Sequence, residues 1–264
     1  MRNEMQHNSF SKTLLLHLSI ILLITSCTTN QKVSSDMVTP HQKNKELIVL
    51  LHGILRSKMD MILLEKFFEK NDYAVLNILY PSRKFELEEL RDFVHDKIIN
   101  CPDYHDNTTL NFVTHSMGGL ITRYYIAKYT PKNMGKVVML GPPNTGSELA
   151  DWLHDTKIIA PIFRTIFGPA SDQLTTDYEH IDGDITYPLG VIAGNMSVNP
   201  LSPWLLEGEH DGIVPVERTK IDGMADHITM PATHSFMMFN GDVMTQALHF
   251  LKHNKFDHDA NKTP

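Results

Sequence analysis

One serine lies where an apolar strand is expected to turn directly into a helix. Residues 110–119 read L-N-F-V-T-H-S-M-G-G, so Ser116 follows the apolar run and two glycines follow Met117. Such a turn strains the backbone of the serine and needs small residues two positions to either side of it. Thr114 and Gly118 hold those positions, with threonine where glycine is the usual residue. We therefore predict that Ser116 is a nucleophile at the apex of a sharp turn.

A serine hydroxyl becomes an effective nucleophile when a base removes its proton and an acid orients that base. The expected chain order is serine, acid, histidine. Asp211 lies in H-D-G-I-V-P, where the glycine permits a tight turn, and it is the expected acid. His234, in T-H-S-F before the last helix, is the expected base, and His227 is the alternative. The carboxylates that compete with Asp211 are Asp172, Asp177, Asp182, Asp184, Asp222 and Asp226.

The negative charge that develops on an attacked carbonyl needs two backbone N–H donors. The first is expected from Met117, which follows the nucleophile at the start of the helix. The second is expected from Ile54, since Gly53 in L-H-G-I lets the backbone approach closely after the first strand. His115, next to the nucleophile, is interpreted as a supporting residue behind the turn.

Strands and helices that alternate along the chain must position these groups. Continuous apolar strands between amphipathic helices predict a parallel sheet with helices on both faces, whose sites form at the carboxyl ends of the strands. Residues 151–184 carry no strand signal and are interpreted as a helical cap or lid inserted over the site. The expected strands are Glu46–Leu51, Tyr73–Tyr80, one through Leu110, Phe112 and Val113 before Ser116, Lys136–Leu140 and Pro188–Ala193, and the expected helices are Lys58–Lys70, Glu86–Ile99, one after Ser116, and Phe236–Lys252.

Composition indicates an ordinary globular protein and argues against several function classes. The chain has 264 residues, of which 42% are hydrophobic, enough for a sizeable core. The net charge of −7, without a basic cluster, argues against a nucleic-acid partner. The 15 histidines form no metal-binding spacing, so we expect no metal and no cofactor.

The N-terminal segment is expected to lie outside the fold. Apolar residues from Leu14 to Ile24 follow basic residues and are too few to span a bilayer comfortably, which is typical of a secretory signal. The run ends in I-T-S-C, which resembles a bacterial lipobox and implies cleavage and lipid attachment at Cys27. The alternatives are an ordinary signal with an incidental cysteine, or residues 13–25 retained as a membrane helix.

These features divide the chain into a signal peptide (1–26), a polar tether (27–45), a catalytic domain (46–254) and a polar tail (255–264). We therefore expect a lipid-anchored protein of the cell envelope, which would lie in the outer membrane if the host is Gram-negative. Cys101 would then be a lone thiol, most simply a packing residue.

The motifs together resemble α/β-hydrolases of the bacterial lipase and esterase type. The matching pieces are L-H-G-I (51–54), T-H-S-M-G-G (114–119), L-G-P-P-N-T-G-S (140–147), H-D-G-I-V-P-V (210–216) and T-H-S-F (233–236). The resemblance implies an α/β-hydrolase fold and acyl transfer by Ser116, His234 and Asp211, with Ile54 and Met117 at the oxyanion. A lipid or other hydrophobic ester is the expected substrate, held by apolar residues of the insertion together with Trp204, Leu205 and Leu206.

Two other functions are compatible with the same motifs. A thioesterase or an acyltransferase shares the same three residues, so the sequence alone does not separate these enzymes from an esterase. A non-catalytic lipoprotein that uses a relic of the fold as a binding module is the alternative from another class.

Overall fold

The computed structural model describes residues 46–156, 160–179, 183–200 and 202–260. The expected signal peptide, Cys27 and the tether lie outside these residues, as does Asp182. Within the described ranges, no helix is both long and apolar enough to cross a membrane.

A six-stranded parallel sheet forms the centre of the molecule. Its order is β2-β1-β3-β4-β5-β6. The strands are β1 (Leu47–Leu51), β2 (Ala74–Ile78), β3 (Leu110–His115), β4 (Met134–Leu140), β5 (Leu189–Gly194) and β6 (Asp226–Met230). Every neighbouring pair is parallel, so all carboxyl ends meet at one edge, as the sequence predicts. The edge strand β6 was not expected.

Seven α-helices accompany the sheet within the described residues. They are α1 (Ile62–Glu69), α2 (Leu87–Ile99), α3 (Met117–Tyr129), α4 (Glu148–Asp155), α5 (Ala160–Phe167), α6 (Ser202–Leu205) and α7 (Gly241–His253). Successive residues of β1 alternate between two apolar layers because side chains of a strand point to opposite faces. Leu47 and Val49 pack in the layer of α2 and α3, and Ile48 and Leu50 pack in the layer of α1 and α7.

Two expected helices begin later than the periodicity indicates. The first opens as a 3₁₀ turn over Lys58–Met61, capped by Ser57, before α1 begins. The last is broken at Asn240, whose side chain accepts hydrogen bonds from two backbone N–H groups and restarts the helix as α7. The residues before the break, His234–Phe239, form a separate 3₁₀ turn, which leaves His234 at the carboxyl edge of the sheet.

The insertion between β4 and β5 is helical, as expected. It consists of α4, α5 and a 3₁₀ segment over Pro169–Leu174, and α4 begins three residues before the predicted start. A side chain at Gly168 would collide with the backbone of Arg83, so this junction requires close backbone approach. The insertion is therefore packed against the loop after β2.

The core continues past the expected domain boundary at residue 254. Phe256 is buried and contacts Phe250 of α7, with ring centroids 5.0 Å apart. Its backbone N–H donates to Asp226 at 2.7 Å. The first residues of the expected polar tail thus belong to the fold.

Replacing Gly190 by alanine is expected to destabilise the protein by about 1–3 kcal/mol through overpacking. An added Cβ on β5 would lie 2.6 Å from the ring of Phe250, which is fully buried in the core. Urea unfolding measures the loss. Gly241→Ala is the matched control, because no atom lies within 4 Å of its added Cβ, and equal losses in both variants would contradict the prediction.

Candidate active site

The backbone of Ser116 is strained at the junction of β3 and α3. Its φ of 54° and ψ of −127° lie outside the regions that side-chain-bearing residues normally occupy. A Cβ at Gly118 would lie 2.6 Å from the carbonyl oxygen of Leu51, so the first turn of α3 packs directly on the end of β1. The sequence therefore predicts this turn and its glycine correctly.

Thr114 fits where glycine is usual because it lies inside the sheet. It is fully buried in β3 and is paired with Leu51 of β1 and Met139 of β4. Its hydroxyl has no hydrogen-bond partner among the described residues. The departure from glycine thus costs an unpaired hydroxyl but leaves the turn intact.

Ser116, His234 and Asp211 form a chain of contacts, although they are far apart in sequence. The imidazole Nε2 of His234 is 3.1 Å from Ser116 Oγ, and its Nδ1 is 2.7 Å from Asp211 Oδ2. Since an ionised carboxylate only accepts, Nδ1–H donates to Asp211 and Nε2 is left to accept the serine proton. This is the arrangement that general-base activation of a hydroxyl requires.

Asp211 is fixed from several directions. Its Oδ1 accepts from the backbone N–H groups of Ile213 at 3.0 Å and Val214 at 2.8 Å. Its own carbonyl oxygen accepts from the backbone N–H of His234 at 2.9 Å. Asp211 and His234 are therefore joined through both side chain and backbone.

Gly141 leaves room for this pair. It follows β4 with a φ of 55°, a left-handed conformation that suits glycine. An added Cβ would lie 2.9 Å from Asp211 Oδ2 and 3.2 Å from His234 Nδ1. Gly141 lies in the L-G-P-P-N-T-G-S motif, whose sequence alone does not indicate this role.

Three of the alternative acids and bases have other partners. His227 lies in β6, where its Nε2 is 2.9 Å from the hydroxyl of Thr219. Asp226 accepts from the backbone of Phe256, and Asp172 forms an ion pair with Arg164. In the described residues, these groups belong to structural contacts away from the serine.

His115 contacts the back of His234. Its Nε2 lies 2.9 Å from the carbonyl oxygen of His234, so Nε2–H is the donor and the neutral ring carries no proton on Nδ1. Burial, followed by the nearby His234, lowers the pKa of His115 well below its ordinary value. The sequence predicts His115 only as a supporting residue behind the turn, but His115 also lines the cavity beside Ser116.

A cavity of about 370 Å³ opens onto Ser116 and His234. Ten of the residues that line it have apolar side chains, and they come from the loop after β1, the insertion and the turn after Asp211. They are Ile54, Leu55, Pro143, Leu149, Ala150, Leu153, Phe167, Leu174, Ile213 and Val214. Trp204, expected in the acyl groove, is instead 87% exposed and outside the cavity, while Leu206 is buried elsewhere.

Polar contacts attach the insertion to the rest of the site. Ser147 Oγ donates to the carbonyl oxygen of Ile213 at 2.6 Å, next to the turn that carries the acid. Asn144 is buried, accepts from Arg123 and donates to Thr219. Arg123 is not predictable from the sequence, because a buried arginine in a helix has no local signature. No cluster of potential metal ligands occurs within the described residues.

Known proteins share this architecture. A family model described as the alpha/beta hydrolase fold matches residues 46–167. The mature lipase BlEst2 of Bacillus licheniformis superposes with a TM-score of 0.64 and 18% identity, over 82% of this chain and 96% of that chain. The chain has the α/β-hydrolase fold.

Two further similarities accompany this α/β-hydrolase fold. The metagenomic carboxyl esterase MGS0156 superposes with a TM-score of 0.56 and 18% identity, over 73% of this chain and 65% of that chain. A triacylglycerol lipase of Pseudarthrobacter phenanthrenivorans is 42% identical over 48 residues, which are 18% of this chain and 15% of the lipase. At such low or local identity the chemistry depends on the site's own residues.

In the α/β-hydrolase fold, the loop after the first core strand and the residue after the nucleophile supply the oxyanion donors. Here these residues are Ile54, which lines the cavity, and Met117, the first residue of α3. Neither backbone N–H has a recorded hydrogen-bond partner in the described part of the chain. Leu55 has a φ of 58°, so the loop that carries Ile54 is strained as well.

Stability is expected to fall as the pH decreases below about 6.5, because buried His115 resists the proton that the unfolded chain accepts. The slope from one such histidine is at most about 1.4 kcal/mol per pH unit. His115→Gln keeps a donor for the His234 carbonyl but does not titrate, so urea unfolding at pH 7 and pH 5 should show a weaker pH dependence. Exposed His105→Gln is the control, and identical pH profiles for both variants would contradict the prediction.

Proposed function

We propose that this protein is a serine hydrolase that cleaves carboxylic esters with hydrophobic acyl groups. The observation that carries the proposal is the contact chain from Ser116 Oγ through the His234 imidazole to Asp211, with distances of 3.1 Å and 2.7 Å. The strained turn at Ser116 and the largely apolar cavity beside it support the same function.

The proposed reaction has two stages. Ser116 Oγ attacks the ester carbonyl while Nε2 of His234 takes its proton, and the alcohol leaves with that proton as an acyl-enzyme forms. Water then attacks the acyl-enzyme with His234 again as base, the bond to Ser116 Oγ breaks, and the carboxylic acid leaves as the serine takes the proton back from His234. Asp211 holds the productive tautomer and stabilises the imidazolium, and the N–H groups of Ile54 and Met117 bind the oxyanion. No metal or cofactor takes part in this scheme.

Ser116→Ala is expected to abolish labelling by a fluorophosphonate probe and to lower kcat for 4-nitrophenyl esters by about 10⁴–10⁶-fold. His234→Asn should lose comparable activity, since the hydroxyl then lacks its base. The control is His227→Asn, which changes the alternative histidine and should retain activity. A folded wild-type protein that is neither labelled nor active would instead favour the binding-module function.

The same assay separates esterase from related acyl-transfer enzymes. Acyl thioesters of matched chain length form the same acyl-enzyme as the esters do. An added alcohol acceptor then competes with water for that acyl-enzyme. A higher kcat/KM for thioesters would favour a thioesterase, and transfer to the alcohol in preference to water would favour an acyltransferase.

We also propose that the mature protein is lipid-anchored in the cell envelope through Cys27. The proposal is supported by the sequence, in which an apolar run from Leu14 ends in I-T-S-C. Several acyl chains on one cysteine would give stable membrane attachment, because a single chain binds only marginally.

Cys27→Ser is expected to move the protein from the detergent phase to the aqueous phase in a Triton X-114 partition. The intact mass of the wild type should begin at Cys27 and include a lipid. An unlipidated mass that begins after a cleaved signal would contradict the anchor, and so would a mass that retains residues 13–25.

A further inference from the structure

Arg56 brings a positive charge to an otherwise apolar cavity. It lines the cavity together with Ser116 and His234. Among the described residues of the lining it is the only one with a permanent charge, and no carboxylate accompanies it. Arg56 thus brings the one permanent charge of the described lining into the same cavity as Ser116, and it forms an ion pair with Asp60.

The loop after β1 sets the position of Arg56. Its backbone N–H donates to the carbonyl oxygen of Gly53 at 3.2 Å, which closes a turn around Ile54 and Leu55. Arg56 is therefore two residues from the proposed oxyanion donor at Ile54. A group bound by its guanidinium would lie in the same cavity as the ester that Ser116 attacks.

Asp60 contacts the guanidinium only weakly. Arg56 Nη1 is 3.4 Å from Asp60 Oδ1, and both side chains are partly exposed. The other carboxylate oxygen of Asp60 accepts from the backbone N–H and hydroxyl of Ser57 at 2.8 Å and 3.0 Å. Asp60 is thus chiefly the capping partner of Ser57.

Most of the hydrogen-bonding capacity of Arg56 remains available. A guanidinium has five N–H donors in a planar fork that fits carboxylate and phosphate groups. Only the Asp60 contact is recorded for this side chain among the described residues. The charge of Arg56 also acts inside the site. Burial and His234 are the main causes that lower the pKa of His115, the hydrogen bond with the His234 carbonyl raises it, and Arg56 lowers it further.

We propose that Arg56 binds an anionic group of the substrate, so that the enzyme favours esters that carry a phosphate or carboxylate near the scissile bond. The inference rests on the ester hydrolase function proposed above. The apolar walls suit the acyl chain, so the anion belongs to the alcohol part, as in an acyl ester of a phosphorylated glycerol. An acid group at the end of a short acyl chain has the same chemistry.

The test is the ratio of kcat/KM for an anionic ester to that for its neutral match. On the alcohol side, the pair is 1-hexanoylglycerol 3-phosphate and 1-hexanoylglycerol. On the acyl side, the pair is 4-nitrophenyl hydrogen glutarate and 4-nitrophenyl methyl glutarate. In the wild type, the alcohol-side ratio should exceed one. Arg56→Gln should lower this ratio about tenfold, which is the effect of losing one charge-assisted hydrogen bond.

Three variants separate anion binding from a structural role. Arg56→Lys keeps the charge and should retain part of the preference. Asp60→Asn removes the competing carboxylate, so the preference should stay or rise, whereas a loop that needs the ion pair would respond to both variants alike. Arg91→Gln is the matched control, since Arg91 is also paired with a carboxylate but lies outside the cavity lining.

Salt gives an independent measurement, because ions screen a partly exposed charge. High ionic strength should reduce the preference of the wild type and leave Arg56→Gln unchanged. If the ratios for both pairs are equal in wild type and Arg56→Gln, the inference is overturned. If Arg56→Gln lowers the ratio only for the glutarate pair, the anion belongs to the acyl side and the alcohol assignment is overturned. Failure of the proposed function is a different result: hydrolysis of neutral esters that survives Ser116→Ala.

Discussion

The backbone strain at Ser116 is the constraint on which the rest of the site depends. A residue with a φ of 54° persists only where the surrounding structure holds it there. Here the parallel pairing of β1 with β3 fixes both strand ends. Gly118 lets α3 pack on the end of β1, because a Cβ at this position would lie 2.6 Å from the carbonyl oxygen of Leu51. The same packing brings the loop after β1 next to the start of α3, where the oxyanion donors are proposed.

Asp211 and His234 are held in place by a second, separate set of contacts. Asp211 and His234 are joined through a side-chain contact of 2.7 Å and a backbone hydrogen bond of 2.9 Å, in the space that Gly141 leaves open. Ser116 is therefore positioned by strand pairing, and His234 is positioned by a loop-to-loop contact. Ser147, which bonds the carbonyl of Ile213, connects the insertion to the acid turn and so to both.

Most of the architecture follows from local sequence patterns. Buried strands give unbroken apolar runs, and the alternation with helices is sufficient to predict a parallel sheet with its site at the carboxyl edge. Strand β6 has no such signal, because D-H-I-T-M contains polar residues that an edge strand tolerates. The break at Asn240 was missed for a related reason: the apolar periodicity continues across it, and only the cap shows that the helix restarts there.

The sequence by itself determined the strained turn at Ser116, since small neighbours and a strand-to-helix transition are local properties. It also limited the acid and base to a few candidates. Only the tertiary structure shows that His234, and not His227, contacts Ser116, because β6 places His227 in the sheet while the following turn brings His234 to the serine. The same holds for Arg56, whose place in the cavity depends on how a loop packs against elements more than fifty residues away, and no local pattern encodes such a contact.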